Sequence, residues 1–199
     1  MEVYGLTGSI GSGKSTVAEL FRQRGVPVVT GDAALAQLIA PGSDGWTALL
    51  DMFGRDILSA DGAIDRARLL HLLASDRANH ERFTTTLEPR LLGSMSAVLS
   101  RFAAEGHPAV IVDCGQLTAD NGGGLFAGII HVQCNRETAI VRLASRNGLS
   151  STEAERRLDS QAVRAPHRGD DLVIDNSGTV EDTRLRVEAL VDQMTSATR

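Results

Sequence analysis

Short apolar runs alternate with segments of helical periodicity along most of the chain. Five runs have the length and β-branched content of strands, at residues 1–7, 26–29, 108–113, 126–133 and 172–175. Apolar positions that recur every three or four residues predict helices at 16–24, 33–39, 136–147 and 180–194. Strands that alternate with helices in this way predict an α/β fold, with a parallel sheet flanked by helices.

Residues 41–107 break this alternation because they contain no convincing strand. Trp46, Leu49 and Phe53 have helical spacing, and the same periodicity returns from Leu69 onward and ends in a long amphipathic helix near Phe102. No linker divides the chain into two cores. The pattern therefore predicts one domain, 1–199, with a helical subdomain at about 41–107.

A glycine-rich loop lies between the first predicted strand and the first predicted helix. It fits G-x-x-x-x-G-K-[S/T], the P-loop pattern, with Gly8, Ser9, Ile10, Gly11, Ser12, Gly13, Lys14, Ser15 and Thr16. We expect the glycines to adopt backbone angles closed to other residues, so that successive N–H groups and the positive helix end face one anion. Lys14 would serve the β- and γ-phosphates of a nucleotide, and the Ser15 hydroxyl would bind Mg²⁺. The flanking strand and helix disfavour a chance match.

Two carboxylates follow predicted strands. Asp32 comes just after the second strand, where ligands bind in open α/β sheets, but it could equally cap the helix that follows. Asp113 ends the clearest central strand, a β-branched run, and could hold Mg²⁺ through water, as a Walker-B residue does. The alternative for Asp113 is a helix cap or a structural partner of Lys14.

An arginine-rich helical hairpin occupies about residues 136–168, the second of its helices running from 151 to 161. Interspersed acids favour a solvated, paired surface for much of it. Arg142 and Arg146 are the arginines that we expect to reach nucleotide phosphates when this lid closes.

Composition limits the function more than the fold. Of 199 residues, 42% are hydrophobic, which is ordinary for a globular protein, and the net charge of −5 disfavours a dedicated nucleic-acid binder.

Cys114 and Cys134 lie in apolar runs without C-x-x-C spacing, so we expect buried thiols. The five histidines show no metal-ligand spacing. Neither a signal peptide nor a membrane span is apparent, so we expect a cytoplasmic protein, monomeric or weakly homo-oligomeric.

With these motifs in place, the sequence resembles the dephospho-CoA kinase family over nearly its whole length. The V-I-D-N-S-G phrase at 173–178 is the most specific match, and others lie at 5–17, 31–33, 41–43, 53–54, 57–58, 61–62, 142–143, 146–150, 153–154 and 161. The resemblance implies a P-loop kinase fold with a helical acceptor-side domain and a lid. It also implies transfer of the ATP γ-phosphoryl group to the ribose 3′-hydroxyl of dephospho-CoA.

The resemblance also implies roles for individual residues. Asp32 matches the carboxylate proposed as general base, and Arg142 matches a lid-side phosphate contact. The turn formed by Asn176, Ser177 and Gly178 matches a segment near the ATP adenine.

Three departures from the family pattern lie on the acceptor side. Thr30 replaces a second acid, Glu88-Pro89 replaces His-Pro, and residues 115–120 replace a Pro-Leu-Leu-type segment with a nearby acid. An anion in place of a possible cation at position 88 would repel an acceptor phosphate. The ATP-side motifs are intact.

We therefore predict an ATP- and Mg²⁺-dependent phosphotransferase with an alcohol acceptor, in which Asp32 takes or orients a proton. Lys14, the loop amides and the lid arginines would stabilise the transferring phosphoryl group. The default acceptor is dephospho-CoA, and the alternative is a ribose hydroxyl of another nucleoside or nucleotide in a specialised pathway. A catalytically silent nucleotide-binding regulator is a second alternative, and the lack of extended switch regions disfavours a P-loop switch.

Overall fold

The fold is seen in a computed structural model that describes residues 1–113, 126–160 and 172–196. Five strands form one parallel sheet, namely β1 (Glu2–Gly8), β2 (Val28–Thr30), β3 (Ala109–Asp113), β4 (Gly128–Gln133) and β5 (Leu172–Asp175). Each lies where the sequence predicts a strand, with ends that differ by no more than two residues. The α/β prediction is therefore confirmed.

The strand order β2-β3-β1-β4-β5 places β1 in the middle of the sheet. Strand β1 pairs in parallel with both β3 and β4, so that Leu6 lies opposite Asp113 on one side and Ile130 on the other. Leu6, Ile111 and Ile130 have no exposed surface. Their complete burial explains the nearly continuous apolar runs, since strands covered by helices on both faces need no alternating polar positions.

Eight helices and one short 3-10 helix account for the remaining regular structure of the described ranges. They are α1 (Lys14–Gln23), α2 (Gly31–Leu38), α3 (Asp44–Phe53), the 3-10 helix Arg55–Ile57, α4 (Arg66–Ser75), α5 (Arg77–Ala104), α6 (Arg136–Asn147), α7 (Ser151–Ser160) and α8 (Val180–Ser196). Helix α1 begins two residues before its predicted start. Gly13 caps it in the left-handed conformation, so Lys14 and Ser15 already belong to the first turn.

The chain forms two compact units. One comprises residues 1–29 and 102–199, and the other comprises residues 30–101. In the first unit, Phe21 of α1 and Val187 of α8 are fully buried in the sheet's core cluster. Burial of each such side chain contributes about 1.5–3 kcal/mol.

The second unit, residues 30–101, has a core of its own. Leu49 of α3 and Ile57 of the 3-10 helix have no exposed surface, and Leu69 and Leu87 bring α4 and α5 onto the same cluster. Helix α5 continues through Pro89. A proline inside a helix removes one i to i−4 hydrogen bond, so tertiary packing here overrides a strong local signal. The assignment of this unit to an acceptor stays a prediction.

None of the helices in the described ranges is long and apolar enough to cross a bilayer.

Candidate active site

The P-loop joins the central strand to α1. Gly11 and Gly13 have φ angles of 78° and 85°, which are in the left-handed region that glycine tolerates. No side chain caps the N-terminus of α1, and its first turn contains no acidic residue. The first N–H groups of a helix have no partner within it, so this uncapped end is a ready site for an anion.

Close packing explains the loop's glycines as much as backbone angle does. A Cβ atom at Gly11 would lie 2.8 Å from the Ala139 carbonyl oxygen, and one at Gly13 would lie 2.0 Å from Asn176 Nδ2. Gly8 has no positive φ, so the expected backbone reason was wrong for it. It is instead needed because a Cβ there would lie 2.6 Å from the Val132 carbonyl oxygen.

Lys14 and Asp113 form an ion pair between the first turn of α1 and the end of β3. The Lys14 ammonium donates a hydrogen bond to Asp113 Oδ1, and the two side chains are 21% and 12% exposed. The contact agrees with the alternative considered for Asp113, a structural partner of Lys14. The role of Asp113 toward Mg²⁺ stays a prediction, as does that of Ser15, which lies exposed in the first turn of α1.

Two side chains hold the carbonyl oxygen of Ser12. Asn176 Nδ2 donates to it at 2.7 Å, and Arg142 Nη1 of α6 donates at 3.4 Å. Asn176 is only 2% exposed. The structure therefore brings Asn176 and Arg142, predicted from separate motifs, onto one peptide group of the P-loop. Arg146 lies exposed in the last turn of α6.

The rest of the turn after β5 is organised by Asp175. Its Oδ1 accepts hydrogen bonds from the Ser177 backbone N–H at 2.9 Å and from the Ser177 hydroxyl at 2.6 Å. These bonds lower the pKa of the Asp175 carboxyl. Ser177 Oγ in turn accepts from the Asn135 N–H at 2.8 Å, which ties the turn to the start of α6, while Gly178 is exposed.

Asp32 lies in the unit of residues 30–101. Helix α2 begins one residue before it, and the cap is Thr30, whose Oγ1 accepts the Ala33 N–H at 3.1 Å. The alternative that Asp32 caps this helix was therefore wrong, because α2 begins earlier than periodicity predicts. Asp32 is exposed in the first turn, and its role as a base stays a prediction.

Of the three departures from the family pattern, two can be placed. Thr30 keeps a capping oxygen without the charge of an acid, and Glu88 is exposed on α5. Residues 115–120 lie outside the described residues, as do Cys114 and residues 161–171 of the predicted lid.

Sequence reasoning missed two neighbours of the loop. Thr183 is fully buried in α8 and donates from Oγ1 to Asn176 Oδ1 at 2.7 Å. Cys134 Sγ lies 3.6 Å from the Gly11 carbonyl oxygen. No motif marks either contact. The only sequence signal was that Thr183 is a polar residue on a helix face that also carries Val187 and Leu190, both buried.

Comparison with known proteins identifies the family. The model of the dephospho-CoA kinase family matches residues 2–182. A dephospho-CoA kinase of Listeria innocua is 34% identical over 190 residues, which cover 95% of each chain.

Solved structures agree on the fold. The structure of TT1252 from Thermus thermophilus is 29% identical, with a TM-score of 0.75 over 96% of this chain and 97% of its own. A dephospho-CoA kinase from Campylobacter jejuni is 20% identical, with a TM-score of 0.65 over 98% of both chains. The prediction of a P-loop kinase fold is confirmed.

These matches also confirm the predicted enzyme class, a phosphotransferase that acts on an alcohol group, and the predicted use of ATP. The substrate class is a small molecule of nucleotide type. The P-loop geometry and a family match over nearly the whole length lead to one conclusion: the chain belongs to the dephospho-CoA kinase family.

Proposed function

We propose that this protein transfers the γ-phosphoryl group of ATP to the 3′-hydroxyl of the ribose in dephospho-CoA. The observation that carries the proposal is the uncapped, acid-free start of α1 behind two left-handed glycines, in a chain of this family. A site of that kind suits the phosphates of a nucleotide.

Lys14 and the loop amides would supply most of the charge stabilisation. The transferring phosphoryl group carries charge on its outer oxygens, so fixed donors that already face the reaction site lower the barrier. Asp113 holds the Lys14 ammonium next to the loop in the partly buried ion pair. We expect this pairing to limit the positions of the Lys14 side chain before the phosphates bind.

Arg142 and Arg146 of α6 would contact phosphate from the lid. A guanidinium has five N–H donors, and the contact of Arg142 with Ser12 O is made through one Nη1. Arg142 would therefore link the loop to a phosphate oxygen, and exposed Arg146 would approach from solvent.

The residues present fit Mg²⁺, which prefers oxygen ligands and usually combines one or two protein groups with substrate phosphates. Ser15 in the first turn of α1 would be the protein ligand, with Asp113 acting through water. Within the described ranges no three His, Cys, Asp or Glu side chains converge as a metal site, so phosphate oxygens would complete the coordination. Ser15 and Asp113 would hold the ion beside the P-loop, where it would supply positive charge to the phosphates.

Asp32 would accept or orient the proton of the attacking hydroxyl. Thr30, and not Asp32, caps α2, so the exposed Asp32 carboxylate is not needed as the cap. A positioned base of this kind typically contributes about 10²–10⁴-fold to the rate.

The exposed anion Glu88 favours a second candidate, a kinase for the ribose hydroxyl of a different nucleoside or nucleotide. Dephospho-CoA carries a pyrophosphate, and a nearby carboxylate would repel it. A catalytically silent regulator is the remaining alternative.

An ATP-consumption screen distinguishes these functions. Purified protein with Mg²⁺ and ATP is given dephospho-CoA or a panel of nucleosides and nucleotides, and NMR locates the phosphate on the product. Asp32→Asn is the matched control in every reaction. Turnover of dephospho-CoA alone supports the proposal, and turnover of another acceptor alone supports the second candidate. If the protein bound ATP but no acceptor caused ATP to be consumed, the result would support the catalytically silent regulator.

A further inference from the structure

We propose that Asn176, oriented by Thr183, is a positioning residue that aims the Gly13 N–H of the P-loop at the nucleotide phosphates. The inference rests on the proposed phosphate-binding role of the loop and not on the identity of the acceptor. It gives the side chain of Asn176 an indirect part in nucleotide binding, through the backbone of the P-loop.

The argument begins with the peptide group between Ser12 and Gly13. A trans peptide is planar, so its C=O and its N–H point in opposite directions. Hydrogen bonds from Asn176 Nδ2 at 2.7 Å and Arg142 Nη1 at 3.4 Å hold the Ser12 carbonyl oxygen. By fixing the C=O, these donors also fix the direction of the Gly13 N–H on the opposite side.

Because Asn176 is buried, the loss of its hydrogen bond to Ser12 would be costly. Asn176 is 2% exposed, so water cannot readily replace a lost partner, and an unpaired buried amide is costly. A Cβ at Gly13 would lie 2.0 Å from Nδ2, which shows how closely the amide approaches the loop. The glycine and the asparagine are therefore matched to each other.

The Ser12 carbonyl oxygen fixes which end of the Asn176 amide faces the loop, because a carbonyl oxygen only accepts and Nδ2 is the end that donates. Oδ1 then faces α8, where Thr183 Oγ1 lies 2.7 Å from it and 3.1 Å from the Thr179 carbonyl oxygen. The Thr183 hydroxyl donates to Oδ1 and so holds the amide in this orientation. The chain of contacts thus runs from a buried hydroxyl in α8 to a backbone N–H in the P-loop.

Two substitutions test this chain. Asn176→Asp replaces the donor with a second acceptor opposite Ser12 O at almost unchanged volume. Thr183→Val removes the hydroxyl and keeps the shape, whereas Thr183→Ser keeps the hydroxyl. Thr195→Val is the matched control on the same helix, because within the described residues the Thr195 hydroxyl donates to helix carbonyls, those of Val191 and Asp192.

The measurements are the Kd of a non-hydrolysable ATP analogue by calorimetry, the KM values for ATP and acceptor, and the thermal midpoint without nucleotide. We expect Asn176→Asp to weaken analogue binding by about tenfold or more, and Thr183→Val by about three- to tenfold. Thr183→Ser and Thr195→Val should bind as the wild type does, and the KM for the acceptor should not change.

A purely structural role would lower the thermal midpoint while the folded variants bound the analogue normally, and that result would overturn the proposal. Equal losses in Thr183→Val and Thr195→Val, or no rescue by Thr183→Ser, would also overturn it. If Asn176→Asp does not fold, the Thr183 series still decides. Because analogue binding is the readout, a wild type that binds ATP but does not phosphorylate dephospho-CoA would refute the proposed function and leave this inference intact.

Discussion

The P-loop and the start of α2 each present a functional group at a helix N-terminus, but different kinds of contact hold the two in place. In the loop, Gly8, Gly11 and Gly13 are each pressed against backbone or side chain from a distant part of the chain. At α2, Thr30 makes a local contact to Ala33, three residues away, and Asp32 is exposed. Tertiary contact therefore fixes the loop, and local capping fixes the α2 terminus.

This difference between the P-loop and the start of α2 indicates which positions can change the specificity for the acceptor. A substitution in the loop must satisfy β4, α6 and Asn176 simultaneously, so few residues fit. Thr30 and Glu88 depart from the family pattern, and neither change disturbs a described core. Thr30 retains a capping oxygen, and Glu88 projects from α5 into solvent. Substitutions at these two positions that keep a capping oxygen at residue 30 should therefore change an acceptor site at little cost to the fold.

The largest expected effect is that of Gly13→Ala. The new Cβ would collide with Asn176 Nδ2 in a backbone conformation that side chains rarely adopt. We expect ATP binding to be lost, with the free energy of unfolding lowered by more than about 2 kcal/mol. Calorimetry and urea denaturation measure the two effects.

Gly25→Ala is the matched control, because Gly25 also has a positive φ, of 77°, but no atom within 4 Å of the new Cβ. Strain alone should cost it about 1 kcal/mol and leave ATP binding intact. If the two variants lost equal stability and both still bound ATP, packing would not be what fixes the loop, and the comparison would fail.

The next largest expected effect is that of Asp32→Asn. We expect kcat to fall by about 10²–10⁴-fold, since the amide cannot accept the proton. The free energy of unfolding and the Kd of ATP should stay unchanged, because Thr30 carries the cap. Single-turnover kinetics and denaturation check both points.

Thr30→Ala separates capping from chemistry at the same turn. It should lower the free energy of unfolding by about 1 kcal/mol. An Asp32→Asn variant that lost stability and kept its kcat would reverse the roles given to these two residues.

These residues also show which features of the fold and the site can be predicted from the sequence and which cannot. The five strands, the P-loop and the family follow from apolar runs and fixed spacings, which are local signals. The sequence does not predict why residue 8 must be glycine, because Val132 comes near it only when β1 and β4 pair. Thr183 lies seven residues beyond Asn176, and only the turn between β5 and α8 lets their side chains meet. The start of α2 was misplaced because Gly31 and Asp32 carry no apolar periodicity.

Glu88→Gln tests whether the acceptor side tolerates change, and its effect should be smaller. Since Glu88 is exposed, removal of its charge should lower the KM for a phosphate-bearing acceptor by about two- to threefold at low salt. The difference should vanish at high salt and be absent for an acceptor without phosphate. Glu81→Gln, another exposed acid on α5, is the control. Equal effects from both would show a general charge effect and not a specificity position.

The smallest effect, that of Ser12→Ala, tests the tightly packed loop from inside. Ser12 Oγ is the buried side-chain oxygen that lacks a hydrogen-bond partner within the described ranges, and Ser12 has no exposed surface. Removal of an unsatisfied hydroxyl should leave the free energy of unfolding unchanged or raise it by up to about 1 kcal/mol. ATP binding should persist, since the Ser12 contacts that matter for the loop are those of its backbone carbonyl. Denaturation and calorimetry on the single variant measure both quantities. A marked loss of ATP affinity would show that the hydroxyl acts on the nucleotide, and the loop would then depend on its side chains as well as on its backbone.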